Sequence, residues 1–143
     1  MTRAELLAFV RRSRLAVQAT RHADGERGVQ AAVVGFGVTD LLEIVFDTAI
    51  DSRKHANLVA DPRIALVIGW DHEATLQVEG VADQPTGGEL ARIQAAYFVA
   101  FPEGRARAAL PSIAYWRVRA TWLRFSDYYV QPPRILELDP ATL

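Results

Sequence analysis

The sequence of 143 residues predicts an α+β fold, in which six or seven antiparallel strands close into a barrel flanked by two or three helices. Three observations carry that expectation. Apolar residues recur with a period of two over several short segments separated by turn residues, as in antiparallel strands with one face on a core. Residues 2–10 and 86–100 instead place a capping-box pair ahead of an apolar stripe, as amphipathic helices do. Half of the residues are hydrophobic and the net charge is −1, a balance that folds rather than stays disordered.

Thr2 followed by Glu5 starts the first helix, with Leu6, Leu7, Phe9 and Val10 as its apolar stripe. Arg11, Arg12 and Arg14 close it, where cations suit the negative end of the helix dipole. Leu15–Thr20 reads as a strand, His22–Gly28 as a loop, and Val29–Phe36 as a second, β-branched strand. Gly37–Asp40 breaks the pattern before Leu42–Asp47 resumes it. Asp51–Ala60 reads as a short helix, stopped at Asp61-Pro62 because proline disfavours helical geometry in its predecessor. Arg63–Gly69 is a continuous apolar run, expected to be buried on both faces. Thr75–Ala82 alternates, with Thr75, Gln77 and Glu79 on one face and Leu76 and Val78 on the other. Thr86 and Glu89 repeat the capping box before a helix to about Ala100, whose stripe is Leu90, Ile93, Tyr97 and Phe98. A long strand is expected over Ser112–Ser126, then an extended Gln131-Pro-Pro133 connector and a last run, Ile135–Leu138.

Composition excludes several function classes. With 16 Lys plus Arg against 17 Asp plus Glu, no positive excess supports broad binding to nucleic acid or to an anionic membrane. The absence of cysteine removes disulfides, thiolate metal sites, iron–sulfur clusters and thiol nucleophiles. His22, His55 and His72 show no metal-ligand spacing, and there is no nucleophile elbow and no paired carboxylates at an evident pocket. No apolar run spans a bilayer, and Arg3 and Glu5 interrupt the N-terminal stretch, so a single soluble cytoplasmic domain, 1–143, is expected. Tyr115–Phe125 alternates aromatic and basic residues. On a strand, Trp116, Val118, Ala120 and Trp122 share one apolar face and Arg117 and Arg119 a solvated one, unlike a single-strand binder that exposes both together.

One segment breaks a local rule. The short helix opens with Thr48-Ala-Ile-Asp51-Ser52-Arg53-Lys54, placing two cations in a first turn where the helix dipole is already positive. Each costs about 0.3–1 kcal/mol at an exposed helix end. An anion bound there resolves the conflict, held by amide hydrogens, the Ser52 hydroxyl and the Arg53 and Lys54 charges. The alternative is that Asp51 caps the helix and both cations extend into water. The glycines of a Walker loop are missing, so a terminal monophosphate suits the site better than a nucleotide β-phosphate.

Phe46–Lys54, followed by Asn57-Leu58, Asp61-Pro-Arg63 and a buried strand ending at Trp70, resembles the FMN-binding split-barrel family typified by pyridoxamine 5′-phosphate oxidase. The resemblance runs from Leu15 to Phe125. It implies a split barrel that forms a homodimer with two FMN sites at the interface, acting as an oxidoreductase on a small molecule. By it, Arg53 and Lys54 hold the phosphate and Thr48 and Ser52 bond nearby. Asp47 stands where the family often has an aromatic residue near the flavin. Val33 and Val34 lie on the strand whose backbone edge passes the ring, and Gln77 or Thr75 matches a flavin-touching glutamine. The departures concern the substrate. Val33-Val-Gly-Phe-Gly37 lacks the oxidase's lysine, Phe101 stands where an arginine is expected four residues after Tyr97, and the C-terminal Trp- and Arg-containing extension has no counterpart. Authentic pyridoxamine 5′-phosphate oxidation is therefore not expected. A deazaflavin in place of FMN and a non-enzymatic flavin-binding or sensing module are the alternatives; no metal and no protein nucleophile are assigned.

Overall fold

The computed structural model describes residues 1–143, the side chain of His72 excepted. Helix α1 (Arg3–Val10) is followed by β1 (Leu15–Arg21), β2 (Val29–Gly35), β3 (Gly37–Val38), β4 (Ile44–Ala49), α2 (Arg53–Ala60) and β5 (Arg63–Ile68). Then come β6 (Ala74–Asp83), α3 (Gly87–Ala100), β7 (Ile113–Asp127) and β8 (Arg134–Leu138). Short 3₁₀ turns, Asp71–Glu73 and Pro102–Arg107, precede β6 and β7. The strands form one curled antiparallel sheet in the order β2-β1-β5-β6-β7-β4-β3, with β8 added to β7. β2 lies at one edge of this sheet and comes into contact with β4 across the gap, so the barrel is split there.

The inward residues of the curl fill the larger core. Leu6 and Val10 plug one end from α1, and Phe36, Phe46, Leu66, Ile68, Leu76 and Val118 pack beneath them. Burying each such side chain contributes roughly 1.5–3 kcal/mol before entropy is counted. A second core lies on the other face of β4 and β7, where Val45 and Tyr115 meet Ile93, Tyr97 and Phe98 of α3. Gly37 permits that packing, because a Cβ there would lie 2.6 Å from the Ala96 carbonyl oxygen and the Tyr97 Cα.

The α+β class and the antiparallel split barrel hold, with eight strands among the described residues rather than six or seven. The additional strand is Gly37–Val38, which pairs with β4, so the break falls at residues 39–43 instead of 37–40. Thr2 and Glu5 form the full capping box. Thr86 makes no side-chain cap bond, and the Glu89 carboxylate turns to Arg92 and Arg117 instead of back to the helix start. Arg11, Arg12 and Arg14 follow the first helix, and two of them stack on rings: Arg12 over Phe9 and Arg14 over Phe101. β5 is buried on one face only, Ala65 being exposed and Val67 half-buried.

The face expected for Trp122 is overturned by a β-bulge. Glu79 pairs with Trp122 but Gly80 pairs with Ala120, so Thr121 is an extra residue and the alternation inverts beyond it. Leu123 and Phe125 thereby take the core face, and Trp122 leaves the side of Trp116 and Val118. Arg117 is not solvated either. It is 8% exposed, and its guanidinium binds both Asp83 oxygens at 2.9 and 2.6 Å.

Candidate functional site

The end of β4 and the start of α2 form a polar corner beside the split. Ser52 caps α2, its Oγ accepting from the His55 amide at 3.2 Å. The same Oγ lies 2.8 Å from Thr48 Oγ1, which also accepts from Lys54 Nζ at 3.5 Å. No acidic residue occupies the first turn of α2. Among the described residues, neither Arg53 nor Lys54 forms an ion pair, although eight of the chain's arginines do. The helix dipole and two uncompensated cations therefore act together.

This corner opens on a cavity of about 200 Å³ lined by Gln18, Thr20, Gln30, Arg53, Lys54 and Asn57, with Ala31 and Ala32. Gln18 and Thr20 occupy inward positions of β1 and are 2% and 1% exposed. Asn57 lies one helical turn after Arg53 and ties α2 to the β1–β2 hairpin. Its Nδ2 donates to Thr20 Oγ1 at 3.0 Å and Gln30 Oε1 at 2.9 Å, while its Oδ1 accepts from the Ala23 amide at 2.8 Å. His55 Nδ1 accepts from Trp116 Nε1 at 3.2 Å, which anchors the first turn of α2 to the core from the other side.

The structure thus brings Thr48, Ser52, Arg53 and Lys54 to one corner. Val33 and Val34 lie on edge strand β2, Val33 pointing outward at 60% exposure and Val34 inward into the core. Gln77 belongs to an outward row, Val33–Val17–Val67–Gln77, that crosses β2, β1, β5 and β6. Thr75 lies two residues along the same face. Strands are spaced about 4.8 Å apart, so Gln77 is roughly 14 Å across the sheet from Val33 and is not part of the phosphate corner within one protomer. Asp47 is also separate. Its side chain turns to the α3 face, where Tyr97 Oη donates to Oδ1 at 2.9 Å and Arg107 to Oδ2 at 3.4 Å. Burial first, and then the Asp47 charge, push the Tyr97 hydroxyl well above its usual range, so it stays protonated.

Sequence reasoning missed Gln18, Thr20 and Gln30, and quoted Asn57 within the family resemblance without giving it a role. Polar residues at the inward positions of a strand were the available signal for the first two. A further signal is a count: Lys54 is the chain's single lysine. Phe101 fills space instead of offering charge. It stacks on Tyr97 at 5.1 Å between ring centres, Arg14 covers it at 4.4 Å, and a Cβ on Gly35 would lie 2.6 Å from its ring.

A curled split barrel with a cationic corner at a helix start defines a class, and comparison with known proteins supplies the family. The family model described as pyridoxamine 5′-phosphate oxidase matches residues 2–127, and the chain belongs to that family. Among solved structures it is similar to a heme-binding protein from Mycobacterium smegmatis, with a TM-score of 0.83 and 22% identity over 99% of this chain. The chain spans 59% of that protein's length. A conserved hypothetical protein from Mycobacterium tuberculosis matches at 26% identity and a TM-score of 0.72, over 90% of this chain and 86% of that one. A pyridoxinephosphate oxidase family protein from Clostridium acetobutylicum, related to general stress protein 26, matches at 14% identity and a TM-score of 0.69, covering 96% of this chain and 93% of that one. No curated protein matches the sequence. No helix among the described residues is long and apolar enough to cross a membrane.

Proposed function

We propose that the chain is an FMN-binding flavoprotein that works as a cytoplasmic homodimer and an oxidoreductase on a small molecule. The observation that carries this is the pair of unpaired cations, Arg53 and Lys54, at the Ser52-capped start of α2. Arg53 and Lys54 hold the phosphate, with Ser52 and Thr48 hydroxyls bonding beside them. The residues fit such a group, because the cavity they line also holds a buried Gln18 whose Oε1 lacks any protein partner. A cavity of about 200 Å³ takes a phosphate and the chain next to it but not a whole flavin, so the ring extends beyond one protomer along β2. Val33 and Val34 border it there, and Gln77 or Thr75 and Asp47 complete the assignment by family resemblance. Bound FMN supplies hydride or electron transfer, and the protein supplies position and electrostatics.

The outer face of β2, β1 and β5 supports the dimer. Val29 and Val33 are 75% and 60% exposed, Ala31 and Ala65 are exposed, and Val17 and Val67 lie between them half-covered. A second copy laid on this face explains why Ala65 and Val67, on the outward side of β5, are apolar. The substrate differs from pyridoxamine phosphate, because the Phe101, Tyr97 and Arg14 stack offers it no free cation.

The test is a visible spectrum of the purified protein followed by titration with FMN, riboflavin, a deazaflavin cofactor and heme. Flavin absorbance, or saturable quenching of FMN fluorescence with weaker riboflavin binding, supports the proposal. A Soret band with no FMN binding transfers the site to heme, and preference for the deazaflavin replaces FMN. Anaerobic reduction by a nicotinamide nucleotide, with turnover on an added acceptor, separates an enzyme from a binding module.

A further inference from the structure

We infer that Gln18 is a ligand-binding residue, completing the site by bonding a hydroxylated carbon chain attached to the phosphate held at Arg53 and Lys54. This rests on the FMN proposal and adds to it the group that recognises the ribityl segment. Gln18 points into the curl between Ala32 and Leu66, is 2% exposed, and lines the same cavity as Arg53 and Lys54. Its Oε1 is buried without a hydrogen-bond partner. The neighbouring Thr20 hydroxyl and Gln30 amide accept from Asn57 Nδ2, and neither donates to Gln18 Oε1. A buried amide left unmatched at the wall of a cavity is a cost that folding alone does not explain.

The chemistry of the amide selects the class of partner. A hydroxyl both donates and accepts, so it satisfies Gln18 whichever way the amide is turned about its last side-chain bond. A carboxylate satisfies only the N–H end. The occupant is therefore a phosphate monoester with hydroxyl groups beside the phosphate, not a bare anion.

Flavin titration and thermal melts of the full chain test this with Gln18→Leu, Gln18→Glu and Lys54→Ala. Gln18→Leu should weaken FMN and riboflavin by the same factor, about five- to tenfold, the net worth of one buried hydrogen bond. It should also raise the melting temperature of the flavin-free protein, because the unmatched amide is gone. Lys54→Ala should weaken FMN and spare riboflavin. Gln18→Glu places a negative charge beside the phosphate, so FMN should lose more affinity than riboflavin; this variant decides the matter if Gln18→Leu does not fold. Wild-type affinity for both flavins in the Gln18 variants overturns the assignment alone. Loss confined to FMN in Gln18→Leu overturns it too, by moving the amide to the phosphate. Wild-type protein that binds neither flavin overturns the cofactor proposal and this assignment with it.

Discussion

Two groups of basic side chains in this molecule behave in opposite ways. Under α3, Arg92, Arg117 and Arg119 face Glu43, Asp83 and Glu89, three cations against three carboxylates. The closest contacts are 2.6 Å from Arg117 to Asp83 and 2.7 Å from Arg92 to Glu43. Thr39 adds a hydrogen bond to Glu43 at 2.8 Å. At the start of α2, Lys54 reaches the Thr48 hydroxyl, and among the described residues neither it nor Arg53 has a carboxylate within ion-pairing distance. The first group satisfies itself and locks α3 and β6 onto β7. The second has no counter-charge from the described residues of the chain within ion-pairing distance. The sign of the charge does not distinguish them; the presence of internal counter-charge does.

The comparison breaks most sharply at Arg117. Arg117→Met removes the partner that Glu43 and Asp83 share while leaving them Arg92 and Arg119, and should cost about 1–3 kcal/mol in urea denaturation. A loss below 1 kcal/mol would place this network with ordinary surface pairs. Arg53→Ala combined with Lys54→Ala should do the reverse. FMN affinity should fall by at least about a hundredfold, since charge-assisted bonds contribute about 1.5–3 kcal/mol each, while riboflavin affinity changes little. Equal loss of both ligands would remove the phosphate from this corner.

Acid sharpens the same contrast more gently. Burial pushes Glu43 up, but hydrogen bonds from Arg92 and Thr39 and the charges of Arg92 and Arg117 outweigh it, leaving the carboxyl below its usual 4.5. Arg117 likewise holds Asp83 below its usual 3.8. Folded-state values below the unfolded ones mean that this stabilisation is complete above about pH 4.5 and is lost as pH falls through the lowered values. Stability measured from pH 7 to pH 2 should therefore stay level and then drop, with a shallower drop in Arg117→Met. The smallest effect is expected at α2 itself. Without ligand, Arg53→Ala or Lys54→Ala should raise stability by about 0.3–1 kcal/mol, because each removes a cation from the positive end of a helix dipole. A clear destabilisation would show that the cations serve the fold.

Legibility followed the range of the interaction. The capping box at Thr2 and Glu5 was readable because both partners lie within one turn. The same pattern at Thr86 misled, since Glu89 found stronger partners in Arg92 and Arg117, the latter 28 residues away. The corner of Thr48, Ser52, Arg53 and Lys54 was readable for the local reason that it spans seven consecutive positions. Gln18 and Asn57, which complete it, are brought there by β1 and by the far end of the helix turn. Thr121 shows how little is needed to defeat a periodicity argument: one bulged residue moves Trp122 off the core face.

What the sequence by itself determined are the features set by neighbours along the chain: strand and helix periods, the turns between them, and a helix start whose charges conflict with its own dipole. The tertiary structure alone decided which charges are answered. Arg117 is neutralised because β6, β7 and α3 converge on it, and Arg53 and Lys54 are not, because β1, β2 and α2 enclose a cavity there lined by no carboxylate. Electrostatic pairing depends on distances of a few ångströms between residues far apart in the chain, and only folding sets those distances.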